Sequence, residues 1–390
     1  MNKVIKYYLY ILPFYSLIGI MLGVLRTAYQ DSYAQAFLLV GAIFDTIIII
    51  SGFKYVFNKK IIFVLLLLIV SLFIGLYNNE LSSRFVTDFT NPFYFFAKVY
   101  IFRRYWFTAD FKKFSKYYTI MSFVGSVALL PLTYFLFKQQ GATRLAIFPP
   151  MELPFVNFML NNGLLLIASF IVIFFYGKRA QLVSALLTFF LYIFVIKRKQ
   201  FFKYLAIMAL GLVVVAYIFN AYSDNLAVKR LSSTLDFFND NSNKQDLDQV
   251  SAGRFNEMEA ITRTMDLKDY FIGKGFGFTY SQDLKSGIKE ATNAHFSPIG
   301  FLSKYGIVFT IFIYYFVLSA FFKTRKELLK VNTYNIGLGV SLFIFFESFF
   351  AYAMFVVPIF PIALGVVLAN QHRYKLELLK RQQKRQMLST

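Results

Sequence analysis

The chain has 390 residues and a formal charge of +21; 58% of it is hydrophobic and 16% charged, and its mean hydropathy is +0.56. Soluble chains carry roughly 45–50% apolar residues, so this one lacks the polar surface to cover soluble domains and reads as a polytopic membrane protein. The absence of cysteine excludes disulfides and zinc–sulfur sites, and two histidines, His295 and His372, exclude a multi-histidine metal centre. No metal and no cofactor are expected, and no nucleic-acid partner, because the bases are spread between apolar runs, where they act as topology signals.

A helix needs about 20 apolar residues to cross the hydrocarbon core. Runs of that kind lie near 7–25, 34–53, 61–77, 91–107, 117–137, 154–176, 180–196, 201–221, 298–321, 335–353 and 354–370. The first follows Lys3 and Lys6 at full span length, so it reads as a span rather than a cleaved signal. Basic clusters around Lys54–Lys60, Arg103–Lys116, Lys197–Lys203 and Lys323–Lys330, and in the tail 371–390, belong with the N-terminus on the cytoplasmic side.

Eleven spans would put the two termini on opposite faces, so one more crossing is needed between Lys116 and Lys197. Asn161-Asn162-Gly163 interrupts the apolar run there with two amides and a glycine. The expected fold is therefore all-α: a bundle of about twelve spans with one large outer loop. Its parts are N-terminal helices over 1–221, the loop over 222–294, C-terminal helices over 295–370 and a basic tail over 371–390. The loop holds eleven acids and nine bases in a chain with only 20 acids, which suits the outer side.

Within the loop, Asn239-Asp240-Asn241-Ser242-Asn243 reads as a turn. Ser251 is placed to cap a helix running to about Met265, with Phe255, Met258, Ile261 and Met265 on one face. Arg254 then falls in the first turn, beside open backbone N–H groups that favour a phosphate; the alternative is an ion pair with Glu257 or Asp248. Gly273-Lys274-Gly275-Phe276-Gly277 matches no nucleotide-loop spacing and reads as a tight turn packing back on that helix.

His295, at the re-entry to the membrane, is a candidate general base, or else an interfacial capping residue. Lys178 and Arg179 fall on the outer face against the positive-inside trend, which points to an anionic ligand; otherwise they are cytoplasmic anchors. Arg144 and Arg84 are outward in the same scheme and would add to a basic pocket. Asp45 and Glu347 lie inside spans, where they either belong to a proton relay or pair with Lys304 or a tyrosine.

Gly177-Lys178-Arg179-Ala180 at a span start, Gly253-Arg254 in the loop, the glycine turn 273–277, and Asn293-Ala294-His295 before the helix Phe301-Leu302-Ser303-Lys304-Tyr305-Gly306-Ile307 come in a telling order. In order and spacing they resemble the O-antigen polymerase and O-antigen ligase superfamily. The resemblance covers the architecture as a whole and, residue by residue, about 177–307. It implies undecaprenyl-pyrophosphate-linked oligosaccharide substrates at the periplasmic face of the inner membrane. Arg179 and Arg254 would bind the pyrophosphate, with Lys178 and Arg144 beside them, and His295 would act in catalysis. Tyr176-Gly177-Lys178 departs from the Ser-rich family pattern. A chain-length regulator and a flippase of the same pathway are the implied partners.

The chemistry would be metal-independent glycosyl transfer, arginines stabilising the departing pyrophosphate. A polymerase of O-antigen repeats is the leading expectation; a ligase transferring glycan to lipid A core and a capsule or exopolysaccharide polymerase share the same reaction. A lipid-linked oligosaccharide flippase would instead show internal repeats and a midplane site, neither of which is visible.

Overall fold

The computed structural model describes residues 2–29, 33–140, 149–195, 198–221, 253–284, 287–351 and 354–389. Among them are fourteen α-helices: α1 (Asn2–Tyr29), α2 (Tyr33–Ser51), α3 (Lys59–Asn78), α4 (Ser83–Trp106), α5 (Phe111–Gln140), α6 (Glu152–Asn161), α7 (Gly163–Phe175), α8 (Arg179–Val195), α9 (Phe201–Ala221), α10 (Arg254–Arg263), α11 (Leu267–Ile272), α12 (Ser297–Phe322), α13 (Asn332–Glu347) and α14 (Ile359–Ser389). Three stretches, Asn2–Leu22, Lys59–Asn78 and Ser297–Phe322, are long and apolar enough to cross a membrane.

The polarity of α3 is that of a helix in lipid. Its buried positions are Ile61, Val64, Leu68, Ser71 and Gly75, at helical spacing, while Leu66, Val70 and Phe73 are exposed. Apolar residues cover both faces, and the inward face narrows to Ser71 and Gly75 toward the helix end, where small residues allow close approach. The same logic brings α14 against α4, where a Cβ on Gly365 would stand 2.6 Å from Phe102 Cβ.

The helical run breaks at Asn162, which is extended (φ −151°, ψ 98°) between α6 and α7. The two amides explain the break. Asn161 donates to Asn157 O and Oδ1 at 2.9 and 2.7 Å, and Asn162 Oδ1 accepts from Leu165 N at 3.3 Å, capping α7. Side chains of this kind compete with the helical ladder.

Five elements differ from expectation. The first loop helix begins at Arg254, because Gly253 before it takes φ +82°, outside the helical region; Phe255 is exposed rather than buried with Ile261 and Met265. The run 335–353 stops at Glu347 in tight turns, and α14 carries straight through the basic tail. The loop also contains an antiparallel hairpin, β1 (Tyr280–Leu284) with β2 (Gly287–Ala291), Tyr280 facing Ala291.

The glycine turn, finally, leaves α10 and enters the bundle. Gly273, Gly275 and Gly277 all adopt positive φ (79°, 84° and 78°), which only glycine tolerates cheaply. Gly275 meets Gly75 of α3 so closely that a Cβ there would lie 2.1 Å from Gly75 N. On the other side α12 kinks at Gly306 (φ 76°, ψ 177°). The kink takes the Ser303 and Lys304 carbonyls out of the helical ladder, and Lys274 N and Gly275 N donate to them at 2.7 and 3.1 Å. Asn79 Nδ2 donates to Lys274 O and Phe276 O, both at 2.9 Å, completing the backbone's hydrogen bonds. Residues 222–252 and Arg144, with the expectations placed on Asn239–Asn243, Asp248 and Ser251, lie outside the described residues.

Candidate functional site

Gly253 and Arg254 open α10, and Glu257 follows one turn later, on the face Arg254 occupies. The Glu257 side chain is 3% exposed and fully engaged. Oε1 accepts from the Tyr280 hydroxyl at 2.5 Å, and Oε2 from the backbone N–H of His295 at 2.8 Å. The His295 ring closes the arrangement, its Nδ1 lying 3.2 Å from both carboxylate oxygens. The carboxylate thus serves His295 through both its oxygens.

Burial alone would push the Glu257 carboxyl up, but the hydrogen bonds from His295 and Tyr280 and the imidazole charge outweigh it and hold it below its usual value. Tyr280 is raised above the ordinary phenol range, first by burial and then by its carboxylate acceptor. An ionised carboxylate only accepts, so Nδ1 must carry a proton and Nε2 is left as the basic nitrogen. The His295 side chain is 55% exposed.

Three neighbours hold this stretch from three directions. Asn293 Oδ1 accepts from Lys304 Nζ at 3.0 Å, Ala294 is buried with Ile261, Met265 and Phe278, and His295 binds Glu257. Lys304 is itself fixed by Asp88 of α4. At the start of α12, Ser297 N donates to Ser348 O at 3.0 Å and Ser297 Oγ to Ala351 O at 3.2 Å, seating the helix start on the end of α13.

That end of α13 carries Glu347, 1% exposed, with Oε2 lacking a hydrogen-bond partner among the described residues. It lies within electrostatic reach of Lys178 and of Glu152. Glu152 opens α6, 3% exposed, and accepts from Gln181 Nε2 of α8 at 3.1 Å. Lys178 and the half-buried Arg179, at the start of α8, therefore share one end of the bundle with Ser348, Ser297 and His295. Arg254 stands one turn before Glu257, the acid that binds His295.

Sequence reasoning singled out Arg254, His295, Lys178 and Arg179 as candidates; it missed Glu257's hydrogen bonds to the histidine and the buried acids Asp88 and Glu152. Asp45 found a tyrosine, as expected, in Tyr8 at 3.2 Å, and also Lys98 at 2.6 Å, while Lys304 went to Asp88. Arg84 lies 3.9 Å from Glu290 of the hairpin. Glu257 left a faint signal: an acid three residues after Arg254, amid Met258 and Ile261 on the buried face. No family model matches the chain, and no curated protein or solved structure matches it either.

Proposed function

We propose that this protein is an O-antigen polymerase: a multi-pass glycosyltransferase that joins undecaprenyl-pyrophosphate-linked repeat units at the periplasmic face of a bacterial inner membrane. The observation that carries the reading is the His295–Glu257 pair, a partly exposed imidazole oriented by a buried carboxylate one helical turn from Arg254. A nucleophile's base steered by a third group is the arrangement hydroxyl activation needs.

In this reading the break at Asn162 supplies the extra crossing, giving twelve spans with both termini cytoplasmic and 222–294 periplasmic. An acceptor sugar hydroxyl attacks the anomeric carbon of the donor, forming a C–O bond as its proton passes to His295 Nε2. The anomeric C–O bond to phosphate breaks, and undecaprenyl pyrophosphate leaves with the electron pair. Glu257 stabilises the imidazolium. Arg254 at the α10 N-terminus and Arg179 and Lys178 at the α8 N-terminus neutralise the departing charge. Exposed Phe255, beside Arg254, offers a face on which a sugar ring stacks.

The test is a lipopolysaccharide gel of a deletion strain complemented with wild type, Arg254→Ala or His295→Ala at matched expression. The reading expects a full ladder from wild type and core plus a single repeat from the variants. Core lipid alone in the deletion, with polymer accumulating on undecaprenyl pyrophosphate, would make the protein a ligase. An unchanged ladder in the deletion would point to capsule assembly or transport.

A further inference from the structure

A second basic site lies at the other end of the molecule. The α3 helix has 20 residues and so spans about 30 Å. Its Asn78–Asn79 end holds the glycine turn near His295, and its Lys59–Lys60 end lines a cleft of about 510 Å³.

Lys54, Lys59, Lys60, Arg103, Arg104 and His372 converge on this cleft, and among the described residues no carboxylate lines it. They come from three separate pieces of chain: the segment around the turn Phe53–Tyr55 and the start of α3, the last turn of α4, and α14. Among the described residues, none of the five Lys and Arg side chains forms an ion pair with a carboxylate.

Topology alone does not require this convergence. Positive-inside charge needs bases on the right loops, not bases gathered from three segments around one cavity. Lys59 and Lys60 also occupy the first turn of α3, the positive end of the helix, where a cation is disfavoured and an anion favoured. Like charges so placed repel one another, and a bound anion relieves both costs.

The surroundings fix the bases in place. Lys54 Nζ lies 5.1 Å from the Tyr55 ring centroid, and the Arg104 guanidinium 5.8 Å from Tyr55 and 6.0 Å from Phe107. Hydrogen bonding from Arg104 comes first among the causes that hold the Tyr55 phenol below its usual value, with Lys54 adding to it. Burial, then Arg103, Lys375 and Arg104, hold the His372 imidazole below its own. Cations of the cleft contribute to both shifts, in the direction that neighbouring positive charge gives.

We propose that this cleft is a binding site for a phosphate-bearing anion with an organic body, independent of the chemistry at His295. The cleft falls in the range of roughly 300–1,000 Å³ typical of small-molecule sites. The guanidinium groups of Arg103 and Arg104 suit phosphate oxygens, and exposed Phe53 and Phe57 border the cleft segment with apolar surface. The phosphate belongs either to an anionic phospholipid headgroup or to a soluble organic phosphate.

The experiment follows the thermal unfolding midpoint of the full-length protein in neutral detergent. The probes are dioctanoyl phosphatidylglycerol, dioctanoyl phosphatidylcholine and glycerol 3-phosphate. The proposal expects saturable stabilisation by phosphatidylglycerol but not phosphatidylcholine. Lys54→Gln with Arg104→Gln should raise the half-saturating concentration by about tenfold or more. Lys112→Gln with Lys113→Gln, exposed bases outside the cleft, should leave it within about twofold.

Equal potency of glycerol 3-phosphate, with the same loss in the cleft variant, would support a soluble phosphate as the source. Stabilisation by none of the probes, equal stabilisation by phosphatidylcholine, or equal losses in the two variants would overturn the proposal. Should the cleft variant fail to fold, Lys59→Gln is titrated in its place. Native mass spectrometry of wild-type protein should then also count phosphatidylglycerol retained in preference to phosphatidylcholine, and equal retention would overturn the proposal.

Discussion

Lys304 Nζ sits 2.5 Å from Asp88 Oδ1, an ion pair between residues 216 positions apart whose side chains are 3% and 4% exposed. The remaining valences are filled. Asp88 Oδ2 accepts from Gly277 N at 2.9 Å, the Asp88 carbonyl accepts from the Tyr305 hydroxyl at 3.0 Å, and Lys304 reaches on to Asn293. One buried pair thus ties α4, the glycine turn, the α12 kink and the approach to His295. Removing either partner strands the other charge, at a cost of about 3–5 kcal/mol. Lys304→Met should sharply lower the unfolding midpoint in detergent, and adding Asp88→Asn should recover much of it. A Lys304→Met protein as stable as wild type would show that the pair is dispensable.

Glu257→Gln keeps the size of the side chain but removes the charge that orients and stabilises the His295 imidazole. On the proposed polymerase reading, activity of the purified protein should fall by about a hundredfold or more. The double variant with His295→Ala should be no slower than His295→Ala alone, because the two act as a unit. Additive losses would instead give Glu257 a separate role.

Arg254→Lys retains a positive charge but loses the planar fork that, in the proposed reading, would grip two phosphate oxygens. Lipopolysaccharide ladders should be shortened with lysine and absent with alanine. Equal ladders from wild type and both variants would remove Arg254 from the phosphate site.

The sign of the Glu257 shift sets a pH dependence. Its folded-state ionisation lies below the ordinary value, so the stability it contributes is fully present above the usual carboxylate range, near about 4.3, and is lost as pH falls through the folded value. The difference in unfolding midpoint between wild type and Glu257→Gln should stay constant around neutrality and shrink only in acid. A difference that grew on acidification would reverse the assignment.

Gly275→Ala adds a Cβ 2.1 Å from Gly75 N at φ +84°, and Gly75→Ala adds one 2.4 Å from Phe276 N. Positive φ alone costs a side chain on the order of 1–3 kcal/mol, and the backbone contact adds to it. Both variants should lose the monodisperse peak in size-exclusion chromatography. Gly211→Ala, with nothing among the described residues within 4 Å of the new methyl group, should keep it.

The helices were legible because an apolar run reports locally on its own burial. The 61–77 run became Lys59–Asn78, and the amides at 161–162 marked a break that their own side chains create. What depended on distant partners was hidden. Glu257 looked like a surface acid because Tyr280 and His295 are 23 and 38 positions away. The glycine turn was recognised as a turn, but its destination was set by Gly75 and the Gly306 kink, neither adjacent to it in sequence. The hairpin escaped because Tyr280-Ser281-Gln282-Asp283-Leu284 shows no alternation of apolar and polar residues.

The insertion of the glycine turn between α3 and the kinked α12 has a consequence for biosynthesis. Helices enter a membrane in the order they are translated, yet α3 and α4 finish their packing only when residues 273–306 emerge from the ribosome. Until then Gly75 faces no partner loop, and the Asp88 carboxylate waits for an ammonium group encoded 216 codons downstream. The first half of the chain is therefore an unfinished intermediate by construction, and nascent chains arrested before Lys304 are the form that quality-control proteases should clear.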